Sequence, residues 1–307
     1  MKRIIPCIIF GLFFSACSIQ ELVVDQLADV LAGNGDGSSA EVFMADDDPQ
    51  LVADALPFAI KLYETLLSLN PEHENLLVTT GSLYIMYANA FIQIPALMYE
   101  EDKFEEQVSD LARAKKLYLR GRDMLTSVMD LRYPGFSRAL LEDDGLDSYI
   151  ELFTVEDVPL LYWLASGWFA PVTIDSLDFE ILLRLPAVIR VLNRAYELDP
   201  TFNNGSIEEL YISVYPALPE TMGGGRDKAE IAFERAVNIQ KGSSAGPYVA
   251  LALSVAYVEQ DLDWFVELME TALSIDTQAY PQNRLINTIH QNRARWYLNH
   301  LEDFFIF

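Results

Sequence analysis

Side chains that commonly perform chemistry are scarce in this chain of 307 residues, which has two cysteines and three histidines. His73, His290 and His300 have no Cys, Asp or Glu at a spacing that makes a recognisable zinc site. We interpret each histidine as a surface or capping residue. Because no nucleophile and base can be paired from the sequence, we disfavour a hydrolase and predict no catalytic residues, no metal and no cofactor.

The two cysteines lie close to the start of the chain, in and directly after an apolar segment. Lys2 and Arg3 precede an apolar run over residues 4–14, and Ser15 and Ala16 then stand directly before Cys17. This order is typical of a secretory signal peptide whose small residues allow cleavage before a lipid-modified cysteine. We predict a lipoprotein signal peptide over residues 1–16 and lipidation at Cys17. The alternative is an ordinary cleaved signal followed by an unmodified cysteine.

Basic residues are also few, with 21 Lys and Arg against 46 Asp and Glu, and the net charge is −25. Such a surface repels nucleic acid and anionic lipid head groups. We therefore expect no nucleic-acid partner and a membrane attachment through the lipid anchor alone. Residues 17–50 are rich in glycine, serine and aspartate, and we interpret them as the lipidated cysteine and a tether.

No apolar run is suited to cross a membrane. Residues 76–99 form an uncharged stretch of 24 residues, but polar side chains are scattered through it. A second uncharged stretch covers residues 158–174. We interpret both as buried helices, either as dry core or as walls of an apolar groove for a hydrophobic ligand. The candidate ligand-binding residues are Phe91, Tyr162, Trp163 and Trp168.

From residue 51 onward the apolar spacing is helical and no long stretch alternates with period two, which predicts an all-α fold over residues 51–307. Ala114, Tyr118 and Gly121 repeat a small–large–small pattern at steps of four and three, as do Ala229, Phe233 and Ala236. This pattern is typical of the second helix of tetratricopeptide repeats. We predict stacked, degenerate tetratricopeptide-like hairpins that form one compact curved array.

An ordered set of residues spread over residues 56–298 resembles the TatT family, the T component of tripartite ATP-independent periplasmic (TRAP) transporters. The set includes Leu56-Pro57, Asn70-Pro71, Tyr87, Phe91, Arg113-Ala114, Leu117-Tyr118, Arg120-Gly121, Pro134-Gly135-Phe136, Leu161-Tyr162-Trp163, Trp168, Arg194-Ala195, Met222-Gly223-Gly224, Arg235-Ala236, Phe265 and Arg284-Leu285-Ile286-Asn287.

The resemblance implies a lipid-anchored protein on the periplasmic face of a bacterial membrane, assembled as a homo-oligomer, a trimer. It further implies docking of a periplasmic substrate-binding protein, the P component, and a cleft or pore that conducts or holds a small hydrophobic ligand. The alternative function is a tetratricopeptide-like lipoprotein scaffold for envelope assembly, without ligand transport. These two functions differ in whether the apolar groove exists.

Overall fold

The computed structural model describes residues 42–306, and all regular structure among them is helical, which confirms the predicted all-α class. The helices are α1 (Pro49–Leu67), α2 (Glu74–Ala88), α3 (Phe104–Arg132), α4 (Phe136–Glu142), α5 (Leu146–Ile150), α6 (Val158–Phe169), α7 (Phe179–Leu182), α8 (Leu185–Leu198), α9 (Phe202–Ala217), α10 (Arg226–Gln240), α11 (Gly246–Leu251), α12 (Leu262–Ser274), α13 (Arg284–Asn299) and α14 (Leu301–Phe304).

Most helices end where proline or glycine punctuates the sequence. Pro71 lies between α1 and α2, Pro134 between α3 and α4, and Pro200 between α8 and α9. Each proline lacks a backbone donor and pushes the residue before it out of the helical region. The predicted signal peptide and Cys17 lie outside the described residues, as does the predicted tether before Val42.

Helices α2 and α3 form an antiparallel pair whose backbones approach closely at two glycines. A Cβ on Gly121 would lie 2.5 Å from the carbonyl oxygen of Gly81. A Cβ on Gly167 of α6 would lie 3.0 Å from the Arg122 side chain of α3. These glycines therefore let three helices cross at short distance.

Replacing Gly121 with alanine should lower the free energy of unfolding by about 2 kcal/mol, the usual cost of overpacking. Alanine favours an exposed helix by about 1 kcal/mol over glycine, so a loss would identify the steric contact as its cause. The control is Ala112→Val at an exposed position of the same helix, which should cost less than about 1 kcal/mol. Chemical denaturation measures both, and equal stabilities would contradict the close contact.

The uncharged residues 76–99 form α2, a π-helical turn at Asn89–Gln93 and a last turn at Ile94–Ala96. Helix α2 packs between α1 and α3 and buries about one half of its circumference, including Leu76, Tyr84 and Ile85, while most of its remaining residues are partly buried. Among the described helices, none combines the length and the apolar content that crossing a membrane requires.

The small–large–small positions lie in the core as expected. Ala114 and Tyr118 are completely buried, and so are Ala229 and Ala236, whereas Phe233 is half-buried. Helices α9 and α10 pair as extensively as α2 and α3 do. Helical pairs are therefore present, and their match to the tetratricopeptide repeat stays a prediction.

The last long helix returns to the beginning of the fold and closes it into a ring. Val52 and Leu56 of α1, Ala90 and Ile94 of the α2 extension, and Leu285 and Ile289 of α13 form an apolar group that we call the closing cluster. Arg284 donates a hydrogen bond to the carbonyl oxygen of Ala45 at 3.1 Å. His300 Nε2 lies 3.2 Å from a Glu100 carboxylate oxygen at the far end of α13. The ring encloses the site described next.

Candidate functional site

One face of α6 is left uncovered by its main neighbours, α3 and α8. Pro159, Tyr162, Trp163 and Ser166 share this face, and the first three are the least buried residues of the helix. The Tyr162 ring lies 5.4 Å from the Phe202 ring at the start of α9. The face is therefore directed toward α9 and leaves two aromatic side chains partly accessible.

Glu209 of α9 lies between residues of three other helices. Its carboxylate accepts a hydrogen bond from Gln240 of α10 at 3.2 Å, and a Cβ on Gly246 of α11 would lie 2.0 Å from its Oε1. His290 Nε2 of α13 is 3.9 Å from the same oxygen. Although three helices surround it, the side chain is 27% exposed. We infer an accessible space between the helices and call it the central space.

Burial shifts the pKa values of Glu209 and of Tyr162, the aromatic residue near it. Burial raises the pKa of the Glu209 carboxyl, although the hydrogen bond from Gln240 opposes that effect. Burial, with the nearby charge of Glu209, also raises the pKa of Tyr162 to about 12. Glu209 and Tyr162 are thus strongly desolvated although each keeps some accessible surface, which is consistent with a recess between helices.

The prediction that His290 is a surface or capping residue is wrong. Its side chain is 13% exposed, and burial, with the charge of Arg293, lowers its pKa to about 3. The imidazole is therefore neutral at pH 7, and at 3.9 Å it forms no ion pair with Glu209. His73 caps α2 by accepting from the Leu76 amide at 3.3 Å, and His300 stacks on Trp296 with ring centroids 4.3 Å apart.

A second polar group lies at the π-helical turn after α2. The buried Tyr118 hydroxyl donates to Gln93 Oε1 at 2.5 Å, and Gln93 Nε2 donates to Thr173 Oγ1 at 2.7 Å. Burial raises the pKa of Tyr118. Arg293 of α13 is close enough to affect the pKa values of Tyr118 and His290, and its Nε is buried without a hydrogen-bond partner. Tyr118 and Gln93 therefore form a buried polar network in an otherwise apolar part of the core.

The four predicted ligand-binding residues lie in different surroundings. Tyr162 and Trp163 are half-buried neighbours with ring centroids 5.1 Å apart. Trp168 is 5% exposed and packs its ring against the Arg122 guanidinium at 4.4 Å. Phe91 is half-buried against the closing cluster, with its ring 5.9 Å from Tyr87. The structure thus brings Tyr162 and Trp163 to the same face and places Phe91 in another cluster.

One sequence motif does have the spacing of a nucleophile elbow, Gly-x-Ser-x-Gly, and it was overlooked in the interpretation of the sequence. The motif is Gly242-Ser243-Ser244-Ala245-Gly246. The motif lies between helices α10 and α11, whereas an elbow follows a strand. Ser244 is 6% exposed, and its hydroxyl accepts from the Gly246 amide at 3.3 Å. This serine caps a turn and is not presented to a substrate.

Among residues 42–306, no three His, Cys, Asp or Glu side chains come together as metal ligands would. The site residues that sequence reasoning missed are Glu209, Gln240 and Arg293. Each is a common polar residue in a helical sequence, so its pattern resembles that of a solvated face. The contacts that distinguish them join helices far apart along the chain.

The described helices contact one another around a closed path and leave partly accessible aromatic and polar side chains between them. A family model described as "TRAP transporter T-component" matches residues 45–305. The chain is also 35% identical over 306 residues to an uncharacterized protein of Treponema pallidum (strain Nichols), covering 96% of this chain and 95% of that protein. This chain therefore belongs to the TRAP transporter T-component family and is an accessory component of such a transporter, in a family that is not one of enzymes.

Proposed function

We propose that the protein docks a TRAP substrate-binding protein at the periplasmic face of the membrane and holds a small hydrophobic ligand in the central space. The observation that carries this proposal is the partly accessible aromatic face of α6, which adjoins the central space. Aromatic walls with a few polar groups are the usual lining of ligand sites. We propose lipidation at Cys17 as the membrane attachment.

Self-association is part of the proposal. The outer face of α1 exposes Leu51, Phe58 and Leu62, which follow one another at helical spacing, and Leu69 is exposed in the turn just after the helix. A narrow apolar stripe of this kind is typical of a helix that packs on another helix. Native mass spectrometry of the purified protein counts the copies, and three copies is the expected result.

Replacing Trp163 with alanine should weaken binding of the neutral fluorescent probe N-phenyl-1-naphthylamine at least tenfold, because the variant removes a large apolar contact from the accessible face of α6. The fold should persist, since Trp163 is only half-buried. The matched control is Trp264→Ala, which removes a half-buried tryptophan from α12, where it packs against Arg226 at 5.3 Å. The control should bind the probe as the unaltered protein does.

The same two variants distinguish the scaffold function. In a scaffold without a ligand, Trp163→Ala would change stability alone, and both variants would bind the probe equally. Docking is tested by co-purification with the TRAP substrate-binding protein of the same organism, which should retain both variants. Failure of the unaltered protein to retain that partner, together with no bound ligand in native mass spectra, would reject the proposed function.

A further inference from the structure

Five large apolar side chains protrude from one side of the protein. Phe104 and Val108 in the first turns of α3 are 64% and 51% exposed. Leu177, Phe179 and Leu183, which surround the short helix α7, are 74%, 69% and 70% exposed. Soluble proteins seldom expose such a group without using it. We call these five residues the apolar face.

Helix α3 joins the two parts of the apolar face. Phe104, Val108 and Lys115 follow one another at steps of four and seven residues and therefore lie along the same side of α3. Lys115 Nζ lies 2.8 Å from carboxylate oxygens of both Asp175 and Asp178. These two ion pairs hold the α7 segment against the side of α3 that carries Phe104 and Val108.

The apolar face lies beside the point where the described chain begins. Phe43 and Met44 pack on the closing cluster, and so does Met98. Gln107 of α3 donates to the carbonyl oxygen of Ala96 at 2.8 Å, next to the same cluster. The first turns of α3 are therefore close to the segment that leads back to Cys17.

The position of Cys17 limits the distance to the lipid. Between Cys17 and Val42 the chain advances 25 positions, and at about 3.5 Å per residue it spans at most roughly 90 Å. An anchor at Cys17 would therefore hold the protein within about 90 Å of the membrane, close enough for the apolar face to contact the bilayer repeatedly.

The charges around the apolar face indicate which lipid it fits. Glu101, Asp102, Glu105, Glu106 and Glu180 are exposed beside its apolar residues. These carboxylates repel anionic head groups and leave apolar insertion as the source of affinity. A surface of zwitterionic lipid is therefore the appropriate partner.

We propose that the apolar face rests on the bilayer that carries the protein's own anchor, with Leu177, Phe179 and Leu183 inserted at the boundary between head groups and acyl chains. The choice of the bilayer as the partner rests on lipidation at Cys17, which is part of the proposed function. The proposal goes beyond that function by assigning an orientation, and it adds a second membrane contact to the lipid anchor, which the net charge had led us to expect as the sole attachment. The α7 segment faces the membrane. Asp157, which pairs with Arg132 at the other end of α3, lies on the side away from the membrane.

The test uses the mature chain without its anchor, residues 18–307, mixed with vesicles of pure phosphatidylcholine. Flotation should show reversible binding, and Phe179→Ser with Leu183→Ser should weaken it at least tenfold. The control pair is Leu152→Ser with Val155→Ser, at positions 60% and 58% exposed beside the Arg132 end of α3. The control should bind as the unaltered chain does.

Three outcomes would overturn the proposal: equal binding by both double variants, no binding by the unaltered chain, or binding that requires phosphatidylglycerol. A second measurement does not depend on weakened binding. In the anchored protein, Phe179→Trp should add emission that acyl-brominated lipids quench, whereas emission added by Val155→Trp should not be quenched. Equal quenching at the two positions also rejects the orientation. The intact mass of the protein reports separately whether Cys17 is acylated. A failure of the proposed orientation can therefore be distinguished from a failure of the lipidation prediction.

Discussion

Replacing Cys17 with serine is expected to abolish incorporation of labelled palmitate and to leave residues 1–16 uncleaved. The thiol is the acceptor of the lipid in the predicted reaction, and a hydroxyl does not replace it at a lipoprotein processing site. Each buried CH₂ of an acyl chain contributes about 0.8 kcal/mol to membrane binding, so the several chains of a lipoprotein supply most of the affinity of the predicted anchor. The intact mass of the protein reports both processing and acylation.

The second cysteine provides the matched control. Cys7 lies within the predicted signal peptide, and Cys7→Ser should retain both the label and the cleavage before Cys17. Labelling that persists in Cys17→Ser, or a natural mature chain with an unmodified thiol at Cys17, would reject the lipoprotein prediction and favour an ordinary cleaved signal.

Replacing Arg132 with methionine should lower the free energy of unfolding by about 3–5 kcal/mol. The Arg132 guanidinium lies 3.0 Å from Asp157 Oδ1, and the Asp157 side chain is 4% exposed. The variant leaves a buried carboxylate without its cation, a defect that costs more than the pair contributes when intact. Chemical denaturation at pH 7 measures the loss. The control is Arg138→Met, which breaks an exposed pair with Glu142 and should cost less than about 1 kcal/mol.

The stability contributed by Asp157 should depend on pH in one direction. Burial opposes ionisation of Asp157, but hydrogen bonds from Tyr133, the Thr154 amide and Arg132 outweigh it, and the pKa lies below its usual value. A carboxyl group whose pKa is lower in the folded than in the unfolded protein stabilises the fold. This stabilisation is complete at pH values above the unfolded pKa, about 3.9, and is lost as the pH falls through the lower pKa of the folded protein. The difference between Arg132→Met and the unaltered protein should therefore shrink between pH 5 and pH 2. A constant difference would show that Asp157 ionisation does not contribute.

Local signals in the sequence predicted most of the helical fold. Proline at positions 71, 134 and 200 marked the ends of helices, because the effect of proline on its own backbone does not depend on distant contacts. The small–large–small spacing identified Ala114 and Tyr118 as core residues for the same reason. Helix α1 begins at Pro49, where the Asp48 carboxylate accepts from the amides of Gln50 and Leu51.

The central space could not be predicted in this way. Glu209, Gln240 and His290 come together from three helices, and a single sequence does not indicate which helix faces meet. Tyr162 and Trp163 were identified because aromatic residues in an uncharged stretch are uncommon enough to notice. Phe91 lies apart from Tyr162 and Trp163 because it packs on the closing cluster. That cluster depends on contacts between the first and last long helices, which the sequence does not reveal.

Closure of the ring has a consequence for the order of folding. The hydrogen bond from Arg284 to Ala45 joins residues 239 positions apart, and the closing cluster joins helices separated almost as widely. Until α13 has been synthesised, Val52 and Leu56 of α1 lack the cover of Leu285 and Ile289 and have only Ala90 and Ile94 beside them in the closing cluster. Contacts of such long range form late and slowly. A chain that is still being synthesised therefore exposes an apolar surface for which a chaperone is the natural protection.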